Sequence, residues 1–408
     1  MVHRSLAGTA RTSIGRLLNA PTLDDDRARV AVAVVFTANG FAFASWVSRI
    51  PAVRELLGLQ SGELGLLLLA LSVGSLLGLP TAGRLVQWRG APAVVRAGAG
   101  LVAVGVLGVA LGAEQWGSWH AVAASLAVTG FGVGIWDVAM NLEGARVEQA
   151  LGRTIMPRFH AGFSLGTVLG ALAGAGAAWA GLAVILHLGA AGLLAGVVAV
   201  LGARGFTTAP ERAAGERPGG LLEAWTEPRT LMLGLMVLAL ALTEGTANDW
   251  LAVALIDGYA LPEWAGVAGF AVFVSAMTVG RLVGPVLLDR FGRPALLWST
   301  MAAAGVGVLL VVLGGSPWIA VGGAAVWGLG ASLGFPVGMS AAADDPERAA
   351  ARVSVVSTIG YTAFLAGPPL LGFVADRVGT LDALLVVAVL LVPSALVVTA
   401  ARPLAQRR

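Results

Sequence analysis

The run Leu182-Ala183-Val184-Ile185-Leu186-His187-Leu188-Gly189-Ala190-Ala191-Gly192-Leu193-Leu194-Ala195-Gly196-Val197-Val198-Ala199-Val200-Leu201 decides the class of this chain. It carries no acid and no arginine. A helix of about 20 such residues crosses a hydrocarbon layer of roughly 30 Å. The pattern recurs along the whole sequence. Of 408 residues, 57% are hydrophobic and only 12% are charged. Ordinary soluble domains carry roughly 25% charged residues, so this chain has too few to cover a water-facing surface. Disorder is excluded by the same figures, and zero cysteines exclude a disulfide scaffold and thiol chemistry.

Apolar runs predict twelve transmembrane helices: 30–48, 62–82, 92–113, 119–142, 159–180, 182–203, 230–252, 265–288, 294–314, 318–341, 353–374 and 381–400. Spans 5 and 6 are nearly continuous, so Trp179-Ala180-Gly181-Leu182 must make their turn. The net charge is +3, and all 26 basic residues are arginine. They are scattered between the apolar blocks and do not form a patch, so no nucleic-acid partner is expected.

The arginines also orient the chain. Residues 1–29 hold five, and no apolar core precedes Val30, so this segment reads as a cytoplasmic tail before an uncleaved first span. The tail, the even-numbered loops and the C-terminus take 22 arginines, among them Arg84, Arg146, Arg229, Arg293 and Arg352. The odd-numbered loops take three, Arg49, Arg54 and Arg377, and Arg281 falls inside span 8. The positive-inside rule then places both termini in the cytoplasm. The polar, Pro- and Gly-containing segment 204–229 reads as a linker. It separates an N-terminal bundle, 30–203, from a C-terminal bundle, 230–400, and residues 401–408 form a second cytoplasmic tail.

The halves resemble each other. Ala127-Val128-Thr129-Gly130-Phe131-Gly132 matches Ala325-Val326-Trp327-Gly328-Leu329-Gly330. Arg158 with Ser164-Leu165-Gly166 matches Arg352 with Thr358-Ile359-Gly360. Gln87-Trp88-Arg89-Gly90-Ala91-Pro92 matches Asp289-Arg290-Phe291-Gly292-Arg293-Pro294. Their shared order predicts a duplicated six-helix unit with a site near the midplane.

Asp289-Arg290-Phe291-Gly292-Arg293 resembles the loop signature of the major facilitator superfamily, Gly-x-x-x-Asp-Arg-x-Gly-Arg, with Pro285 in place of its first Gly. The N-terminal copy, Gly83-Arg84-Leu85-Val86-Gln87-Trp88-Arg89-Gly90, has Gln87 for the acid and Trp88 for the base. The resemblance implies an all-α membrane fold of two pseudo-symmetric bundles. It also implies that Asp289, Arg290, Gly292 and Arg293 latch helices at the cytoplasmic face.

Within the superfamily, three stretches resemble the fucose–proton symporter branch and its uncharacterised bacterial inner-membrane relatives. They are Trp136-Asp137-Val138-Ala139-Met140-Asn141, Phe163-Ser164-Leu165-Gly166 and Glu244-Gly245-Thr246-Ala247-Asn248-Asp249-Trp250. Where that branch carries an acid in span 1, this chain reads Ser45-Trp46-Val47-Ser48-Arg49-Ile50.

Ionisable groups inside a bilayer are costly and mark function by default. Asp137 and Asn141 are four apart, hence on one helix face, and Glu244 with Asn248 repeats the pattern. A buried carboxyl can exchange protons near neutral pH, so Asp137 and then Glu244 are the expected proton-coupling groups. Asn141 and Asn248 offer both donor and acceptor to a hydroxylated solute. Asn39, Trp136 and Asp249 are further substrate-binding candidates, and Arg281 is expected to pair with an acid in a structural or gating role. No nucleotide or metal motif occurs, so no cofactor beyond a proton gradient is expected. The predicted protein is a monomeric, non-enzymatic transporter of the bacterial inner membrane. Its partners would be the lipid bilayer and a small polar, sugar-like solute. Three alternatives stay open: an exporter of amphipathic drugs or metabolites, a membrane sensor, and a lipid translocator.

Overall fold

The computed structural model describes residues 23–152, 155–206, 221–345 and 348–402. Most of the linker and the outer parts of both predicted tails lie outside this set. The described residues are helical and form no strand.

Span 1 runs Leu23–Val47 and continues as Ile50–Leu57. Its helix therefore begins within the segment read as a tail. Spans 2 to 6 are Ser61–Arg89, Ala91–Glu114, Trp119–Leu151, Met156–Trp179 and Val184–Gly202. The break between spans 5 and 6 falls at the predicted turn. Span 7 is Pro228–Tyr259. Spans 8 and 9 lie within Glu263–Leu313 and are two helices that meet at Gly292, whose φ of 74° and ψ of 166° are not helical. Span 10 is interrupted, Pro317–Ala331 and then Gly334–Ala342. Span 11 is Ala349–Val378. Its helix continues through Pro368-Pro369. Span 12 is shorter, Thr380–Leu396. Ten described helices are long and apolar enough to cross a membrane. Splitting Glu263–Leu313 at Gly292 and adding Thr380–Leu396 gives the predicted twelve.

Packing follows small residues. Span 1 meets span 5 along Gly162, Gly166, Gly170 and Gly174, where an added Cβ would press on Thr37, Phe41 and Ser48. Spans 2 and 4 approach reciprocally: Gly74 lies against the carbonyl of Ala127, and Gly130 against that of Leu71. In lipid, helices associate through such close backbone contact, since burial gives little drive between apolar surfaces. Spans 1 to 6 pack mainly among themselves, as do spans 7 to 12. Spans 2 with 11 and 5 with 8 make the two seams between these halves.

The chain enters and leaves on one face, called the terminal face; the opposite one is the distal face. Distal residues join the halves. Arg49 Nη1 donates to Glu263 Oε1 at 2.9 Å and, within the first half, Nη2 donates to the Leu182 carbonyl. Arg54 Nη1 lies 2.6 Å from Asp257 Oδ2, which also accepts from Thr380 Oγ1 at 3.0 Å. Lower in the seam, Ser72 Oγ donates to the Phe364 carbonyl at 2.7 Å. At the terminal face the ion pairs Arg229–Asp344, Arg293–Asp344, Arg352–Glu227, Arg352–Asp345 and Arg146–Glu143 each stay within one half.

Candidate transport site

Asp137 sits on span 4, half-buried, with Asn141 one turn on. Asn141 Nδ2 donates to the Asp137 carbonyl at 2.9 Å and to its Oδ1 at 3.3 Å. Among the described residues no ion pair reaches Asp137. Tyr361 of span 11, in the other half, lies within electrostatic reach of it. The Tyr361 ring stands 6.2 Å from Phe335 and 6.5 Å from Phe364. Span 4 therefore presents a carboxyl and an amide toward an aromatic group on spans 10 and 11.

Glu244 of span 7 is differently placed. Its Oε1 accepts from Arg281 Nη2 at 2.9 Å. The same guanidinium donates to Ser164 Oγ of span 5 at 3.3 Å and to the Ser332 carbonyl at 3.4 Å. Ser332 lies at the interruption of span 10, where helix breaks leave carbonyls unpaired. Arg281 thus ties spans 7, 8 and 10 of one half to span 5 of the other. His160, one turn before Ser164, is exposed and packs edge-on against Phe36 at 5.3 Å. It lies within electrostatic reach of Arg281.

The remaining predicted residues separate. Asn248 and Asp249 are half-buried on span 7 and have no side-chain hydrogen-bond partner among the described residues. Asn39 is only 3% exposed, and its Nδ2 has no partner. Trp136 is fully buried, and Gly98 of span 3 lies against its backbone and Cβ. It packs the interior of the first half, so in this conformation it offers no ring face for a solute to stack on. In the loop signature, Asp289 and Arg290 are exposed, and the Arg290 guanidinium sits 5.2 Å from the Phe291 ring. Arg293 makes the contacts, to Asp344 Oδ1 at 2.5 Å and Ser340 Oγ at 3.1 Å.

Sequence reasoning missed Tyr361, although it is one of only two tyrosines and lies within a span. It quoted Ser164 in a motif without making it a ligand. It also passed over Asp344, the acid shared by Arg229 and Arg293. Both acids of Asp344-Asp345 stand in an arginine-marked loop, which was the available signal.

A twelve-span helical body with polar side chains gathered between two halves defines a multi-pass membrane transporter rather than an enzyme. The chain matches the family described as Major Facilitator Superfamily over residues 30–368, and it belongs to that superfamily. It is 32% identical over 351 residues to an uncharacterized MFS-type transporter of Yersinia pestis, covering 85% of this chain and 89% of that one. It is 28% identical over 369 residues to the membrane protein MosC of Rhizobium meliloti, covering 87% and 85%. Among solved structures it is similar to the nucleoside transporter NupG, with TM-score 0.74, 14% identity and coverage of 92% and 98%. It is also similar to an inward-facing, unoccupied bacterial homolog of the human lysosomal transporter Spinster. There the TM-score is 0.70, the identity 15% and the coverage 94% and 98%.

Proposed function

We propose that this chain is a proton-coupled secondary transporter that moves a small polar, sugar-like solute by alternating access. The observation that carries the reading is the contrast between the acids of the two acid–Asn pairs. Glu244 is neutralised by Arg281 at 2.9 Å. Asp137 meets only a neutral amide. An unpaired carboxylate in low dielectric is the group that gains most by taking up a proton, so Asp137 carries the proton and Glu244 serves as the partner of Arg281. Asn141, Asn248, Ser164 and Arg281 supply the donors and acceptors that a hydroxylated solute needs.

The likeness of three stretches to the fucose–proton symporter branch supports a sugar-like solute. The absence of that branch's span-1 acid argues for a different one from fucose. The arginine distribution supports cytoplasmic termini in a bacterial inner membrane, which makes the distal face periplasmic. The chain is taken as a monomer working in the lipid bilayer, driven by the proton gradient with no other cofactor.

A thermal-shift screen of the purified protein against sugars, polyols and nucleosides finds the solute, because a ligand of the native state raises its melting temperature. Uptake of that solute into proteoliposomes under an imposed pH gradient then tests coupling. Asp137→Asn abolishes gradient-driven accumulation and keeps solute counterflow. Accumulation at the wild-type level in this variant sinks the assignment.

A further inference from the structure

Span 11 ends in Gly372-Phe373-Val374-Ala375-Asp376-Arg377-Val378-Gly379. Its spacing, Gly-x-x-x-Asp-Arg-x-Gly, is that of the terminal-face loop around Asp289, yet it lies on the distal face. The pattern recurs once in every third span. Span 2 ends in Gly83…Gln87-Trp88…Gly90, span 5 in Gly174…Ala178-Trp179…Gly181 and span 8 in Pro285…Asp289-Arg290…Gly292. The backbone repeats too. Gly90, Gly292 and Gly379 have φ of 79°, 74° and 90° and ψ of 154°, 166° and 156°. The second half keeps Asp-Arg in both of its copies, and the first half has Trp in place of Arg in both of its own.

The two acidic copies are in different states. Asp289 is exposed, with no ion pair among the described residues. Asp376 is engaged across the seam. Both of its oxygens accept from the Gly62 amide of span 2, each at 3.0 Å. The first turn of span 2 explains the need. Gln60 and Glu63 cap each other reciprocally, and Glu63 Oε2 accepts from the Gln60 amide at 2.9 Å. The Gly62 amide is then left for Asp376, whose charge also faces the positive end of the helix dipole. The backbones close around this contact: an added Cβ on Gly372 would press on the Ser61 carbonyl, and one on Gly65 on the Pro368 carbonyl. A Cβ on Gly62 would collide with Asp376 itself.

The span-5 copy has Ala178 where the acid stands in span 11. At that second seam the Arg49–Glu263 pair joins the halves instead, and within the first half Arg49 also donates to the Leu182 carbonyl at the turn of this copy. With the Arg54–Asp257 pair, the distal face thus carries three charged links between the halves among the described residues.

We infer that Asp376 is a gating residue of the distal face: by capping span 2 from the opposite half it holds the distal seam shut and sets the balance between the two access states. This goes beyond the transport reading, because it needs neither the solute nor the coupling ion.

The chain has no cysteine, so a single introduced thiol reports the seam. Ser72→Cys is near-isosteric and sits where span 2 bonds the Phe364 carbonyl. Its reaction rate with a maleimide, on purified protein in detergent, reads how often the seam opens. Losing a helix cap shifts such an equilibrium about fivefold. Asp376→Ala is therefore expected to raise the labelling rate about fivefold, and Gly62→Ala to do the same by displacing the carboxylate. The Gly62→Ala/Asp376→Ala pair is expected to fall well short of the product of the two, because each change removes the same bond. Asp289→Ala should leave the rate unchanged. Folding is checked separately by melting temperature and gel filtration. If Asp376→Ala does not fold, Asp376→Asn, which keeps one acceptor, together with Gly62→Ala decides the question. Unchanged labelling in the folded Asp376 and Gly62 variants overturns the inference, as does full multiplicativity of the pair.

Discussion

Each half carries one acid–Asn helix, span 4 in the first and span 7 in the second, and the two have opposite electrostatics. On span 4 the Asp137 carboxyl meets the amide of Asn141 at 3.3 Å. On span 7 the equivalent bond is not made: Glu244 turns to Arg281 at 2.9 Å, and Asn248 is left without a side-chain partner. Asp137 therefore has no ion-pair partner among the described residues, whereas Glu244 anchors an arginine that reaches Ser164 of the other half. The two spans share an acid–Asn spacing, and one arginine in span 8 makes their acids different.

That contrast can be broken most forcefully from the arginine side. Arg281→Ala leaves Glu244 charged and unpaired, a change that costs about 3 kcal/mol in partly buried pairs. Its melting temperature should drop clearly, and the Glu244→Gln/Arg281→Ala double variant should recover most of the loss. Asp137→Asn, by contrast, removes a charge that has no counter-ion. It should leave the melting temperature unchanged or raise it, even as coupling is lost. A clear drop there would mean that Asp137 has a structural partner.

A smaller effect separates the site from the terminal-face pairs. Arg352 donates to both oxygens of Glu227, at 2.7 and 2.6 Å, and holds this carboxyl below the ordinary glutamate range. A depressed acid stabilises the fold above its unfolded pKa, and that contribution fades as pH falls through the folded value. Glu227→Gln should thus cost about 2 kcal/mol at neutral pH and progressively less in acid. A melting-temperature series from pH 7 to pH 3 checks the convergence. The smallest effect is expected at Trp136. Because this ring packs inside the first half, Trp136→Phe should leave the apparent affinity for solute within about twofold, a change worth under 0.5 kcal/mol. A large loss of affinity would place the ring against the solute.

Much of this architecture was legible in the sequence because a bilayer imposes a long and simple pattern. Apolar runs located the spans, even at the tight Trp179–Leu182 turn. The stretch Glu263–Leu313 also obeys the pattern, since Arg290 and Arg293 mark the break at Gly292. The site was legible only as a set of misplaced polar letters. Asp137, Glu244 and Arg281 stood out because charge inside a span is rare. Their partnerships did not, because composition does not order the spans in space: Arg281 of span 8 reaches Glu244 of span 7, Ser164 of span 5 and Ser332 at the break in span 10. Trp136 was misread for a related reason: adjacency to Asp137 in sequence turns a side chain by about 100° on a helix, here toward Gly98 and the interior of its own half.

The turns at Gly90, Gly292 and Gly379 have a mechanical consequence. Each joins two spans with no intervening loop, and an added Cβ at Gly292 or Gly379 would touch nothing. The constraint there is torsional rather than steric. A joint of this kind has no slack: span 8 cannot tilt without hauling span 9, nor span 11 without span 12. Such a joint passes leverage on one helix to its neighbour, which favours movement of coupled pairs over movement of single helices.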